Sequence, residues 1–167
     1  MAGSGMILIR EVADAPVIMG ISKPAGLKSP CGEVKIVNPL FVGIDVSSRN
    51  NVAYLMKPDG SKHSSFSVQN NLGGAKILSE RIVSALESVP LSDLVIGLEA
   101  TSIYGDSLVY ALREDGSLGR FQRKIHVLNP KQVRKFKEAY PDLPKNDWVD
   151  AFVIADHLRF GRIAKEV

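Results

Sequence analysis

The sequence predicts an α/β fold, a mixed five-stranded sheet flanked by helices. Three observations point there. Three strand-like segments follow one another through short turns, and strands then alternate with helices. Two of the strands, Leu40–Ile44 and Leu94–Leu98, are apolar without alternation, as strands covered on both faces are. Each of these two runs ends on a carboxylate, Asp45 and Glu99.

The elements follow in order. Leu40-Phe-Val-Gly-Ile-Asp45 opens the domain as a central strand. Asn51–Met56 is a second strand, and Lys57-Pro-Asp-Gly60 is a tight turn with Pro and Gly where such turns want them. Ser64–Val68 alternates polar and apolar and completes an antiparallel meander. Asn70 or Asn71 can cap a helix whose period is given by Ile77, Leu78, Arg81, Ile82, Ala85 and Leu86, stopped near Pro90. After the strand ending at Glu99 comes a helix from Tyr104 to Glu114, then a fifth strand at Ile125–Leu128. Asn129-Pro130 is a cap followed by proline in the first turn, and this helix is expected to reach Tyr140. Pro141 and Pro144 separate it from a last helix, capped by Asn146 and running from Asp147 to about Phe160. The order β-β-β-α-β-α-β-α-α is that of the ribonuclease H-like fold. In it the first and fourth strands are neighbours, which puts Asp45 close to Glu99.

Residues 1–39 show little pattern beyond a short apolar run and scattered Pro and Gly, and read as a poorly patterned amino-terminal extension. Residues 40–167 then form one domain with a core of its own. The single cysteine excludes an internal disulfide and a cysteine-rich zinc site, and fits a reducing cytoplasm. No apolar run has the length of a membrane span. Net charge is only +3, but its distribution is uneven. Between Arg120 and Lys137 stand Arg120, Arg123, Lys124, Lys131, Arg134, Lys135 and Lys137, with no acid among them. Such a stripe suits a polyanion, or is simply a solvated basic face.

The chemistry centres on Asp147 and Asp150, i and i+3 on a helix face that continues as Ala151, Ile154 and Leu158. Acids in a first helical turn also favour the helix dipole, which accounts for Asp147 more readily than for Asp150. A carboxylate beside a packed face must be paired, hydrogen-bonded or metal-bound. Asp45 and Glu99 pose the same demand; the plainer alternatives are a turn cap at Asp45 and an exposed strand end at Glu99. If the four meet, their repulsion is relieved by a hard divalent cation, with Mg²⁺ the expected ion and Mn²⁺ its substitute. Lys145 precedes the acid pair and can meet a phosphate or balance the acids. His126 reads as a satisfied core residue, and His157 and Tyr104 as packing residues within reach of the site. Trp148, Val149, Phe152 and Val153 give the last helix a second apolar face that some other element must cover.

Gly43-Ile-Asp45-Val-Ser, Gly97-Leu-Glu99-Ala-Thr-Ser-Ile-Tyr104-Gly, the Asn129-Pro130 helix start and Lys145-Asn-Asp147-Trp-Val-Asp150-Ala151 together resemble the amino-terminal DEDD domain of insertion-sequence transposases. These are relatives of the Piv-type DNA invertases and of the RuvC-type Holliday junction resolvases. The resemblance covers roughly residues 40–162. It implies Asp45, Glu99, Asp147 and Asp150 as a catalytic, Mg²⁺-binding tetrad acting in DNA strand cleavage and exchange. It further implies DNA as partner, a structured RNA as guide, and a homo-oligomer as the form of the full-length protein. Ser102 stands where the family has glycine, and Asn146 and Trp148 depart from its usual small polar and basic residues. The family also carries a carboxy-terminal domain with a serine nucleophile, so the expectation is a fragment lacking that domain.

Lys131, Arg134, Lys135, Lys137 and Lys145 are the expected nucleic-acid contacts. Two other functions compete. One is an inactive DNA- or RNA-binding module derived from such a domain. The other is a phosphotransferase of the actin and sugar-kinase type, whose first strand also reads Gly-Ile-Asp-Val; it needs a glycine soon after the acid, where Val46-Ser47-Ser48 stands.

Overall fold

The apolar run that begins at Leu40 forms the middle of the sheet. In the computed structural model, which describes residues 38–89, 91–99 and 103–161, this strand, β1 (Pro39–Val46), lies third of five. It is followed by β2 (Asn50–Met56), β3 (Lys62–Gln69), α1 (Leu72–Ser88), β4 (Asp93–Glu99), α2 (Ile103–Glu114), a 3-10 turn at Leu118–Arg120, β5 (Gln122–Leu128), α3 (Pro130–Lys137) and α4 (Asp147–Arg159). The sheet order is β3-β2-β1-β4-β5, with β1, β2 and β3 antiparallel and β1, β4 and β5 parallel. The first and fourth strands are therefore neighbours, and the mixed five-stranded sheet is as the sequence predicts. All of the amino-terminal extension read from the sequence except Asn38 and Pro39 lies outside the described residues, and Pro39 already belongs to β1.

Alternation along the strands divides the core in two. Leu40, Val42, Ile44, Leu94, Ile96 and Leu98 point to the face covered by α1 and α2, where Leu78, Ile82, Leu86, Leu108 and Leu112 meet them. Phe41 and Met56 point to the other face, under Val133 of α3 and Val153, Ile154, Ala155 and Leu158 of α4. Burying one such leucine against leaving it exposed is worth roughly 1.5–3 kcal/mol, so both layers contribute.

The caps are local. Asn71, not Asn70, caps α1 by accepting from the Gly74 amide at 2.8 Å. Asn70 instead ties Ser47 to Asn51 through its amide. Asn129 and Asn146 accept from the amides of Lys131 and Val149, each at 2.9 Å.

Two expectations are corrected, and a third is met. α3 stops at Lys137 rather than Tyr140, because Ala139 and Tyr140 close tighter turns onto Phe136 and Lys137 and Pro141 drives the preceding residue out of the helical region. Ile77, placed on the core face of α1, is 47% exposed, and Ala75 takes that place. The second apolar face of α4 is covered largely from within the chain: Val153 is fully buried, and Phe152 stacks edge-on against Tyr54 at 5.4 Å and Tyr140 at 5.7 Å. Only Trp148 of that face remains 44% exposed.

Candidate catalytic site

Two glycines decide where α4 sits. A Cβ at Gly43 would stand 2.1 Å from the Ala151 carbonyl oxygen and 2.4 Å from the Ala155 amide nitrogen. A Cβ at Gly97 would stand 2.8 Å from the Leu158 side chain. The α4 backbone thus rests directly on the middle of β1 and beside β4. Asp45 and Glu99 lie two residues beyond these glycines, on the same face by strand alternation. They follow the register pair Ile44 and Leu98. The helix that the glycines admit carries Asp147 and Asp150 in its first turn.

Electrostatics ties the four acids together. The Asp45 carboxyl is pushed up to about 6, first by burial and then by the charges of Asp147 and Asp150. Glu99 is raised as well, by burial and then by Asp45 and Asp150. Lys137, at the end of α3, opposes both shifts and forms an ion pair with Asp150. Asp147 is exposed, while the other three are half-buried. Among the described residues, no three His, Cys, Asp or Glu side chains already converge as a ready metal site.

The basic stripe divides into three. Lys131, Arg134 and Lys135 are exposed on α3, and Arg134 has only a long 3.9 Å pairing to Glu138. Lys145 is exposed before α4, and Lys124 is exposed on β5. Arg120 pairs with Glu87 at 3.0 Å. Arg123 clasps the end of α2, donating to the carbonyls of Leu112 at 3.0 Å and Asp115 at 2.9 Å and to that of Arg113. Arg123 thus satisfies orphan helix carbonyls rather than facing a polyanion. Lys137 meets a carboxylate instead of standing with the other α3 cations.

His126 is buried, as expected. Tyr104 is 46% exposed on α2. His157 is more deeply buried than a peripheral packing residue, at 5% exposure, and its Nδ1 has no hydrogen-bond partner. Sequence reasoning missed the seats at Gly43 and Gly97, although the repeated Gly-x-Asp and Gly-x-Glu spacing carried a signal. It also missed Asp156, buried and held by Tyr140 and by Arg159 at 2.7 Å. Burial and that hydrogen bond push the Tyr140 hydroxyl up to about 12.

A family model for transposases, the DEDD transposases of IS110, matches residues 42–166. No curated protein matches the chain by sequence. Among solved structures, T. thermophilus RuvC in complex with a Holliday junction substrate is similar at 14% identity and a TM-score of 0.50, covering 78% of this chain and 99% of that one. A second Thermus thermophilus RuvC structure is 14% identical with a TM-score of 0.49, over 77% and 99% of the two chains. At such identity the likeness is one of fold, and it agrees with the ribonuclease H-like order of elements.

Proposed function

Because the chain belongs to the DEDD transposases of the IS110 family, we propose that Asp45, Glu99, Asp147 and Asp150 are the metal-binding catalytic acids of its DNA-processing centre. The chain is a DNA transposase catalytic domain, with nuclease-type strand transfer as its activity. The observation that supports the residue assignment is the electrostatic coupling of acids from β1, β4 and α4 at one end of the sheet. Two half-buried carboxylates with raised proton affinity, together with a third acid that already attracts an ammonium, offer oxygen donors that suit a hard cation. The acids would hold Mg²⁺, with Mn²⁺ able to replace it. Such ions activate an attacking oxygen and stabilise a leaving oxygen in phosphodiester chemistry.

The residues of this chain do the positioning. β1 and β4 fix Asp45 and Glu99 on a rigid sheet, and the glycine seats fix the first turn of α4 above them. The exposed cations Lys131, Arg134, Lys135 and Lys145 hold phosphates along the approach, where orientation counts most for rate. DNA is the substrate class, as it is for the RuvC bound to a Holliday junction. A structured guide RNA, a homo-oligomeric full-length protein and a cytoplasmic location complete the reading, with residues 40–167 as the catalytic domain. Among the described residues, no helix is long and apolar enough to cross a membrane.

The test is strand cleavage of branched and supercoiled DNA in Mg²⁺ or Mn²⁺. Asp45→Asn, Glu99→Gln and Asp150→Asn should each abolish cleavage while DNA binding persists. Equal rates in the wild type and the variants would remove the acids from catalysis. DNA binding without metal-dependent cleavage by the wild type would favour the inactive binding module.

A further inference from the structure

The seam between α3 and α4 has two ends. At one, Lys137 meets Asp150. At the other lies an open cavity of about 690 Å³, lined by Gln132, Lys135, Phe136, Tyr140, His157 and Phe160. Aromatic rings dominate it. The Phe136 ring lies 5.0 Å from His157, 5.5 Å from Phe160 and 5.7 Å from Tyr140. Phe160 is 55% exposed, a large apolar surface presented to solvent. His157 is 5% exposed, yet its Nδ1 is unpartnered, which is costly for a buried polar atom.

We infer that this cavity is a seat for an unpaired nucleobase of the nucleic acid that the acidic site processes or is guided by. The inference rests on the nucleic-acid reading above and deepens it. Three properties of the cavity suit such a ligand. Its aromatic rings offer the flat apolar contact on which bases stack irrespective of sequence. The Gln132 amide and the His157 ring can hydrogen-bond a base edge. Lys135 lines the cavity, and Lys131 and Arg134 are exposed on the same helix, so a phosphate attached to the base meets positive charge. Asp156, beside His157 on α4, is already engaged by Tyr140 and Arg159. Burial lowers the proton affinity of His157, which keeps the imidazole neutral and able to accept as well as donate.

The placement also fits the reaction centre. Asp150 and His157 lie seven residues apart on one face of α4, about 10 Å along the axis. That is about three stacked nucleotides of one strand. A base held in the cavity would fix the register of the strand entering the acidic site.

The experiment titrates the whole chain, in chelator, with fluorescein-labelled single-stranded oligonucleotides read by anisotropy. The probes are a DNA strand, an RNA strand of the same sequence, and a DNA strand of the same length with abasic positions. The wild type should bind the base-bearing strands roughly five- to a hundredfold more tightly than the abasic strand. Phe160→Ala, at an exposed position, should erase that preference and leave the salt dependence unchanged. His157→Gln, which keeps a hydrogen-bonding group, should retain more of the preference than His157→Leu. A preference for DNA or for RNA identifies the source of the base. Equal affinity of the wild type for base-bearing and abasic strands overturns the base seat and leaves the nucleic-acid reading standing. No binding of any strand overturns both.

Discussion

Gly43 lies directly beneath Ala151, so closely that a Cβ on the glycine would stand 2.1 Å from the alanine carbonyl oxygen. The contact is backbone against backbone, and neither partner can rotate away. It sets the height of α4 over β1, and with it the height of Asp147 and Asp150 over Asp45. Gly43→Ala should therefore lower stability by about 3 kcal/mol or more, because the helix must lift. Gly97→Ala meets the Leu158 side chain first, which can shift, and should cost about 1 kcal/mol. Urea unfolding of both variants checks the order. A tolerated Gly43→Ala would mean that α4 does not rest on β1.

The raised Asp45 has a pH signature. Its folded value of about 6 lies above the ordinary 3.8, so the folded state binds the proton more tightly than the unfolded state does. Its contribution to stability is full below pH 3.8 and is lost as the pH rises to about 6. Asp45→Asn removes that loss. In chelator the variant should be more stable than the wild type above pH 6, by about 1 kcal/mol once solvent screening of a half-exposed group is allowed for. The gain should vanish near pH 4. Melting curves across this range measure it, and a gap that widens towards acid pH would reverse the sign.

Lys137 supplies a positive charge at the acids. Lys137→Met should lower the melting temperature in chelator, since Asp150 loses its counter-charge. The same change should tighten Mn²⁺ binding, because an ammonium no longer competes with the ion. Mn²⁺ titration followed by electron paramagnetic resonance reads this directly. Weaker binding would show that Lys137 supports the ion rather than substituting for it.

The arginines of the basic stripe should separate by assay. Arg123→Ala removes a donor from the Leu112 and Arg113 carbonyls of α2 and from that of Asp115 just beyond it, which keeps the Gly119 amide, and should lower stability by about 1–3 kcal/mol, with DNA affinity little changed. Arg134→Ala with Lys135→Ala should leave stability alone. It should weaken DNA binding and flatten its salt dependence by up to about two units of slope. A double variant with an unaltered slope would make this face merely solvated.

The fold was legible because the two central strands are apolar on both faces and the order of strands and helices allows few arrangements. Asp45 and Glu99 stood out because each ends an apolar strand where charge needs a reason, and Asp150 because it borders a packed helix face, whereas Asp147 is accounted for equally well by the helix dipole. What sequence did not convey was set by contacts between distant segments. Lys137 shares a helix with Lys131, Arg134 and Lys135, and helical period alone does not show that its long side chain ends at Asp150. Arg123 looks like any surface arginine until β5 is laid beside the end of α2. The end of α3 was legible in principle from Pro141, whose effect on the residue before it outweighs the helical tendency of Glu138 and Ala139. Gly43 and Gly97 could have been read from their equal spacing to the two acids.

The central claim is that Asp45, Glu99, Asp147 and Asp150 together bind divalent cations. The direct measurement is the melting temperature of the wild type, Asp45→Asn and Asp150→Asn, each in chelator and in millimolar Mg²⁺ or Mn²⁺. An ion that binds only the folded state adds about 2.7 kcal/mol at a hundredfold excess over its Kd. The wild type should therefore melt several degrees higher with metal, and both variants should lose most of that increase. Identical wild-type melting with and without metal would contradict the claim.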